Sequence, residues 1–336
     1  MNYYIGILKK LSFYKVLNFI KLYHGFYYSR LINQPKQFGL PVSVSIEPTT
    51  SCNLRCPQCP SGLREFTRPT GMLQSKLFEK IIIQLKSHLH SLTFYFQGEP
   101  YLNPDFLKMV SFANDHKIYT ISSTNAHYLT KEAAIKTIKS KLDKLIISVD
   151  GVTQDVYEKY RIGGKVDKVI EGTREILLQK KLLKSKTPHV VWQFVVFKPN
   201  QHQIEAVKKL GKELGVDEVK IKTAQIYDFE NGSNLIPDIE TYSRYKKNKE
   251  GNFEIKNKLL NQCWRMWQGC VITWDGKIVP CCFDKDAKYK LGNLVNQSFK
   301  DIWFSQPYNH FRKSILKSRS QIDICTNCTE GTKVWA

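Results

Sequence analysis

The sequence predicts an α/β protein with a parallel sheet, followed by a small cysteine-rich region. Between residues 41 and 223, short apolar runs alternate six times with segments whose apolar residues recur at helical spacing. After residue 262 this alternation stops, and six of the nine cysteines follow. Six βα units in series imply parallel strands joined by right-handed crossovers, in a sheet that is either open or closed into a barrel.

Each predicted strand is a short apolar or alternating run. The six strands span residues 42–46, 92–96, 118–122, 144–149, 189–197 and 218–222. Predicted helices span residues 75–88, 104–116 and 130–140, and apolar residues between 166 and 177 and between 204 and 214 mark two more. In such folds the chemistry gathers at the carboxyl ends of the strands. The unusual polar segments of this chain follow strands, which predicts a functional site at that edge.

The segments outside the α/β region differ from it in composition. Residues 1–40 are basic and rich in aromatic side chains, which predicts amphipathic helices that either lie on an anionic membrane or pack on their own domain. Residues 224–262 are interpreted as a connector. The predicted organisation is therefore a helical segment (1–40), an α/β domain (41–223), a connector (224–262) and a cysteine-rich domain (263–336).

The formal net charge of +21 favours anionic partners such as phosphorylated sugars, acidic peptides, nucleic acid or a membrane surface. A solvated lysine-rich surface without a partner explains the same charge. The lysines are spread along the chain, which argues against nucleic acid. No apolar run has the length of a membrane span. An odd number of clustered cysteines without a visible secretory signal predicts a cytoplasmic, metal-ligating protein, with peripheral membrane contact as an option for the N-terminal helices.

Three cysteines, Cys52, Cys56 and Cys59, stand close together directly after the first predicted strand. Three thiolates from one loop cannot complete a tetrahedral zinc site or a four-thiolate cluster unaided. On a cubane iron–sulfur cluster they leave one iron open, and an open iron can bind a small molecule. The spacing therefore predicts an incompletely ligated cluster.

This spacing resembles the signature of the radical S-adenosylmethionine (SAM) enzymes, and the segments after later strands resemble the family motifs in order. Gln97 stands where the family motif has its first glycine, and Gln58 stands where the family often has an aromatic residue. The resemblance implies a partial (β/α)6 TIM-type barrel with a 4Fe-4S cluster on Cys52, Cys56 and Cys59, to which SAM binds. The SAM-binding residues that it implies are Gly98, Glu99, Pro100, Ser123, Thr124, Asn125, Ser148, Asp150 and Gln193.

The last quarter of the chain resembles the SPASM domain, a module that carries auxiliary iron–sulfur clusters. Asp275-Gly276 and Gly292-Asn293 contribute to this resemblance. It implies one auxiliary 4Fe-4S cluster, for which we expect the ligands Cys263, Cys281, Cys325 and Cys328. A structural zinc site is the rival interpretation of the same cysteines. Cys270 and Cys282 remain open: either replaces a ligand, stays a buried thiol, or donates a hydrogen atom to a radical.

The resemblance implies reductive cleavage of SAM to a 5′-deoxyadenosyl radical that abstracts hydrogen from the substrate, with a flavodoxin or ferredoxin as electron donor. We expect an oxidoreductase or epimerase that acts on an anionic small molecule or peptide. Two alternatives are a radical enzyme that modifies tRNA and a non-catalytic metal-binding scaffold at a membrane surface.

Overall fold

The computed structural model describes residues 3–331, with side chains from residue 5 onward. Its strands are β1 (Ser43–Ile46), β2 (Ser91–Phe94), β3 (Tyr119–Thr124), β4 (Lys144–Ser148), β5 (His189–Val196), β6 (Glu218–Thr223), β7 (Tyr245–Lys247), β8 (Phe253–Ile255), β9 (Gly269–Ile272), β10 (Lys277–Val279) and β11 (Gly292–Asn293). Its α-helices are α1 (Tyr3–Leu8), α2 (Phe13–Ile32), α3 (Pro60–Leu63), α4 (Ser75–Leu85), α5 (Phe106–Asp115), α6 (Lys131–Lys139), α7 (Gln154–Tyr157), α8 (Val166–Leu182), α9 (Ile204–Leu214), α10 (Trp264–Gln268), α11 (Phe299–Trp303), α12 (Gln306–Ser318) and α13 (Asp323–Thr326).

Six parallel strands, β1 to β6, lie side by side in sequence order, and helices connect them. The α/β fold class predicted from the sequence is confirmed, and each of the six strands begins and ends within two residues of its predicted bounds. In β1 the side chains of Val44 and Ile46 are fully buried in the main core, whereas Ser43 and Ser45 are half-buried on the other face. This alternation leaves polar side chains on the face of the sheet that points away from the helices.

The main sheet continues into the cysteine-rich region, which the sequence did not predict. Strand β9 pairs in parallel with β1, with Val44 opposite Cys270 and Ile46 opposite Ile272. Strands β10 and β11 then add in antiparallel fashion, so that the sheet has nine strands in the order β11-β10-β9-β1-β2-β3-β4-β5-β6. The physical reason is the edge of β1, whose unpaired backbone groups are satisfied by a four-residue apolar strand from far along the chain.

The predicted connector contains a small antiparallel hairpin, in which Tyr245 of β7 lies opposite Ile255 of β8. Its apolar residues, together with Phe197 at the end of β5, form a second, smaller hydrophobic cluster. The ring of Tyr245 stacks on Phe229 at a centroid distance of 4.5 Å. This segment is therefore packed onto the end of the sheet and is more than a spacer.

The N-terminal segment forms two helices along one side of the molecule. Leu22 and Phe26 of α2 are buried, and the ring of Phe26 lies 5.2 Å from that of Trp264 in α10. Lys10, between α1 and α2, pairs with Asp143 at an N–O distance of 2.5 Å. Of the helices in the described part of the chain, none combines the length and the apolarity that a membrane crossing requires.

We predict that Gly269→Ala weakens the attachment of β9 to β1. A methyl group there would overlap the carbonyl oxygen of Ser43, which is a backbone atom of the paired strand and cannot move aside as a flexible side chain would. We expect a loss of about 1–3 kcal/mol in the free energy of unfolding, measured by denaturant titration of the iron-free protein. Gln268→Ala, which shortens a half-buried neighbouring side chain, is the control. Equal stability of the two variants would contradict the prediction.

Candidate active site

The three N-terminal cysteines lie in a loop that connects β1 to α3. Cys59 directly precedes α3, and Gly62 in that helix packs so closely on Cys56 that a Cβ would lie 2.5 Å from the Cys56 backbone nitrogen. The backbone N–H of Arg55 donates to the carbonyl of Ile162 at 2.9 Å, which ties the loop to the segment before α8. All nine cysteines of the chain are free thiols.

The three thiols line one cavity of about 240 Å³ at the carboxyl ends of the strands. Most of the predicted SAM-binding residues line the same cavity: Gly98, Glu99, Ser123, Thr124, Asn125 and Ser148. The structure therefore brings these six residues together with the three thiols, and their binding of SAM remains a prediction. Gln97 also lines the cavity, and its Oε1 atom lies 3.7 Å from the Sγ atom of Cys59.

Glu99 is buried at the centre of a hydrogen-bond network. Its carboxylate accepts bonds from the Thr124 hydroxyl and the Asn125 backbone N–H, each at 2.8 Å, and from the Tyr101 N–H at 3.3 Å. Burial raises the pKa of Glu99 to about 7, although these donors act in the opposite direction. Gly98, with φ of +75°, brings the chain against the carbonyl oxygens of Thr49 and Ser51. The backbone thereby passes within contact distance of the cysteine loop.

Asp150 does not line the cavity itself, but it binds Arg161, which does. The Arg161 Nε donates to the Asp150 carboxylate at 2.6 Å, and its Nη1 lies 3.8 Å from the Cys56 sulfur. The arginine lines the cavity, whereas Asp150 is fully buried behind it. Sequence reasoning missed Arg161 because it lies in an irregular segment between helices and follows no strand. Its only sequence signal is its position ahead of two glycines, Gly163 and Gly164.

Two further predicted residues, Pro100 and Gln193, are not among those that line the cavity. Pro100 is buried and begins a short 3-10 helix. Gln193 lies opposite Ser148 in the pairing of β4 with β5, and its carbonyl accepts the N–H of Val149. Gln58 has a structural partner, because its Oε1 accepts the N–H of Tyr227 at 2.9 Å. The roles of Pro100 and Gln193 in binding SAM remain predictions.

A second group of cysteines lies in the C-terminal region. Burial raises the pKa of the Cys263 thiol, and nearby Cys328 adds to this shift while Arg319 opposes it. Burial likewise raises the pKa of Cys281, where the neighbouring thiols include those of Cys263 and Cys325. These mutual effects place the four predicted auxiliary ligands in one neighbourhood.

Arg319, which the sequence did not single out, is buried beside this group. Its Nη2 donates to the Cys328 sulfur at 3.2 Å and to the Glu330 carbonyl at 2.7 Å, and its Nη1 donates to the Gln262 carbonyl at 2.9 Å. Arg319 therefore ties the segment around Cys328 and Glu330 to the residues that precede α10.

The two cysteines without an assigned role occupy different environments. Cys270, on β9, is buried in the main core, where burial strongly raises the pKa of its thiol and where it contacts Tyr308 and Arg312. Cys282 is an exposed residue, and the cations of Arg265 and Lys285 lie near its thiol. Of these two residues, Cys282 is the solvent-accessible one.

The donor chemistry of the cysteine loop suits an iron–sulfur cluster. Its three cysteines are free thiols that line one cavity. Thiolates are the ligands that hold the irons of such clusters. The residues present therefore fit the cluster.

The fold and the two cysteine groups define a class of iron–sulfur proteins, and family comparison identifies it. The model of the radical SAM superfamily matches residues 46–177, and that of SPASM, an iron-sulfur cluster-binding domain, matches residues 263–329. The chain therefore contains a radical SAM domain followed by a C-terminal SPASM domain. These domains imply a 4Fe-4S cluster with SAM and auxiliary iron–sulfur clusters; the sequence predicted both kinds of centre, with one auxiliary cluster.

Several known proteins are similar over most of this chain. It is 25% identical over 313 residues to the tungsten-containing aldehyde ferredoxin oxidoreductase cofactor-modifying protein of Pyrococcus furiosus, covering 84% of this chain and 86% of that protein. It is 28% identical over 307 residues to the PqqA peptide cyclase of Bradyrhizobium diazoefficiens, covering 82% and 76%. The structure of Streptococcus suis SuiB bound to S-adenosylmethionine matches with a TM-score of 0.63 and 17% identity, covering 82% of this chain and 68% of SuiB.

We predict that Gly98→Ala destabilises the protein more than Gly215→Ala. Both glycines have positive φ, so both variants carry backbone strain of about 1 kcal/mol. Gly215 has open space around it, whereas a Cβ on Gly98 would overlap the Thr49 carbonyl and lie 2.8 Å from that of Ser51. We expect an additional loss of about 1–3 kcal/mol for Gly98→Ala, measured as the difference in thermal and urea unfolding of the two iron-free variants. If the two variants lost the same amount of stability, the prediction would be wrong, because the contact of Gly98 with the two carbonyl oxygens would then add nothing to the cost.

Proposed function

We propose that this chain is a radical SAM enzyme that removes a hydrogen atom from an anionic small molecule or peptide, with net oxidation or epimerisation. The observation that carries the proposal is the single cavity in which three free thiols meet the Glu99 network and Arg161. In this proposal a reduced flavodoxin or ferredoxin supplies the electron. When bound, the 4Fe-4S cluster and SAM supply the 5′-deoxyadenosyl radical that takes the hydrogen atom.

Different residues of the first site would bind the cluster and SAM. Cys52, Cys56 and Cys59 would hold the cluster as thiolates. Glu99 would accept the SAM ammonium, because its two oxygens offer about four acceptor positions and three are used within the protein. The positive charge of the ammonium would favour the ionised form of Glu99 and so lower its pKa, which burial raises. Ser123 and Asn125 offer hydroxyl and amide groups to the ribose or the carboxylate.

The second site would hold one auxiliary cluster on Cys263, Cys281, Cys325 and Cys328. Arg319 supports this assignment because its guanidinium donates to the Cys328 sulfur. Hydrogen bonds to ligating sulfur tune the reduction potential of such clusters. A centre tuned in this way is suited to accept an electron from a substrate radical, which corresponds to net oxidation.

The proposed substrate class rests on a group of cations between the two cysteine sites, which we call the basic chamber. It consists of Lys222, Arg244, Arg265 and Lys285, together with the carboxylate of Glu330. Arg265 pairs with Glu330 at 2.8 Å. Burial lowers the pKa of Lys222, and Arg244 and Arg265 are among the neighbouring charges that push it the same way.

Lys285 lies near both this chamber and the first site, and Arg244 is one of its neighbours in the chamber. Burial lowers the pKa of Lys285, while nearby Cys59 and Cys282 act in the opposite direction. The Lys285 ammonium also lies over the Tyr227 ring at 4.6 Å. The Nε of Arg244 donates to the Thr223 hydroxyl at 3.0 Å, but its buried Nη1 has no hydrogen-bond acceptor among the described residues. A carboxylate or phosphate of the substrate would satisfy that donor and balance the excess positive charge.

Cys282 is the better placed of the two candidate hydrogen donors. It is an exposed residue, and Arg265 and Lys285 of the basic chamber lie near its thiol. In an epimerisation this thiol would give a hydrogen atom to the substrate radical from the opposite side. One electron from the flavodoxin or ferredoxin and one proton from water would then convert the resulting thiyl radical back to the thiol. Cys270 is buried against α12, so we propose Cys282 for that role.

The test of the proposed function is anaerobic reconstitution followed by iron counting and SAM cleavage. We expect reductant-dependent formation of 5′-deoxyadenosine, its loss in the Cys52→Ala/Cys56→Ala/Cys59→Ala variant, and retained SAM binding in Cys325→Ala, because the two cysteine groups form separate sites. Deuterated candidate substrates then identify the substrate through deuterium in 5′-deoxyadenosine. SAM cleavage by the triple variant would refute the assignment, and no cleavage by the wild type would favour a non-catalytic scaffold.

We predict that Arg244→Met reduces kcat/KM for the substrate at least tenfold and leaves substrate-free SAM cleavage within about twofold. The reason is the loss of about 1.5–3 kcal/mol from a charged hydrogen bond to the substrate anion. Lys246→Met, two residues away on β7 and about half exposed, is the matched control. A substrate without a negative charge, or equal rates for both variants, would contradict the proposed chamber.

A further inference from the structure

The outward face of α2 carries an apolar stripe that exposed His24 interrupts near its middle. Phe13, Leu17, Ile20, Tyr27 and Leu31 follow one another at intervals of three, four or seven residues, so they share one side of the helix. Phe13 is 72% exposed and Leu31 is 82% exposed. Half of the large apolar side chains that stay exposed in the described residues lie between positions 5 and 38. Scattered apolar side chains are ordinary, but a stripe of this length marks an interaction surface.

The opposite face of the same helix fixes α2 to the protein. Leu22, Phe26 and Ser29 are buried, and the Ser29 hydroxyl donates to the carbonyls of Gly25 and Lys36. The Phe26 ring contacts those of Trp264 and Trp267 at centroid distances of 5.2 and 5.5 Å. The stripe therefore belongs to a folded helix that already has its own partner on one side.

The charges around the stripe have one sign. Residues 1–46 contain six lysines and arginines and no aspartate or glutamate. Lys15 is buried and Lys10 pairs with Asp143, which leaves four cationic side chains toward solvent. At 3.6 residues per turn, Lys21 and Arg30 lie about 90° to either side of the stripe. Cations therefore flank the apolar centre on both sides.

We propose that the exposed face of α2 lies on an anionic lipid bilayer. An apolar stripe bordered by cations is the pattern of a helix that rests in the headgroup region with its axis in the membrane plane. The tyrosines of this face, among them Tyr14, Tyr23 and Tyr28, suit that region because each has an apolar ring and a polar hydroxyl. The helix, about 30 Å long, lies along the surface and does not cross it.

A second copy of the chain is a poorer occupant of this face. In a symmetric dimer the two stripes would meet, and each would bring its lysines and arginines toward those of the other. The segment has no carboxylate to pair with them, because the first acidic residue of the chain is Glu47. Anionic lipid headgroups supply the missing negative charge.

The proposed membrane face leaves the candidate active site open. The Lys10 and Lys15 ammonium groups donate to the carbonyls of Ile118 and Lys117, immediately before β3. This is the amino-terminal edge of the sheet, whereas the cysteine loop lies at the carboxyl-terminal edge. Contact with the bilayer is therefore compatible with access to the cavity and does not depend on the proposed function.

Sedimentation of the iron-loaded full-length protein with lipid vesicles tests this proposal. We expect the wild type to partition at least tenfold more strongly into vesicles of 30% phosphatidylglycerol in phosphatidylcholine than into pure phosphatidylcholine. The Phe13→Ser/Ile20→Ser/Leu31→Ser variant and the Lys21→Glu/Arg30→Glu variant should each lose at least tenfold of this partitioning. Leu178→Ser/Leu182→Ser on α8, whose side chains are 49% and 63% exposed, is the control and should bind like the wild type.

Several outcomes would overturn the proposal. One is a wild type that stays in the supernatant with anionic vesicles, and another is equal binding to neutral and anionic vesicles. A third is a dimer in sedimentation analysis that the triple variant converts to a monomer, which would assign the face to a second copy. Iron content and SAM binding of each variant confirm that it is folded, so that loss of vesicle binding reports the surface alone.

Discussion

The carboxylate and backbone of Glu99 join three parts of the chain, and the candidate site depends on this junction. The Glu99 N–H donates to the Ser51 carbonyl in the cysteine loop, while its carboxylate accepts from Thr124 and Asn125 at the end of β3. Asn125 closes the ring through its amide, which donates to the Asn53 side chain at 2.8 Å. A loop with three cysteines would otherwise be mobile, and these bonds hold its thiols over the ends of two neighbouring strands.

What the sequence predicted well is what depends on local pattern. The strands and the cysteine loop are encoded in runs of a few residues. Because functional residues in parallel α/β folds follow the carboxyl ends of the strands, the sequence also predicted that Glu99 and Asn125 lie at one site. What it missed depends on long-range packing. Arg161 reaches Cys56 from an irregular segment, and Arg319 reaches Cys328 because both are buried together. Asp150 was predicted at the right edge but acts on Arg161, a partner that no local pattern reveals.

The two cysteine groups are held in a common frame by backbone and side-chain contacts. Strand β9 extends the main sheet, and the Arg68 guanidinium adds a second link because it pairs with buried Glu47 and donates to the Lys285 carbonyl. Lys285 in turn belongs to the basic chamber between the two groups. Such a frame fixes the separation of the two centres, which is a requirement for any electron transfer between them.

The pairing of β9 with β1 has a consequence for how this chain is made. About 220 residues separate the two strands, so β1 acquires its outer neighbour only after the ribosome has added this whole stretch of chain. Until then a bare parallel edge is available for pairing with other nascent chains. Contacts this distant in sequence also slow folding, because a long loop must close first. We therefore expect the nascent chain to pass through an interval in which this edge is open to pairing with other chains.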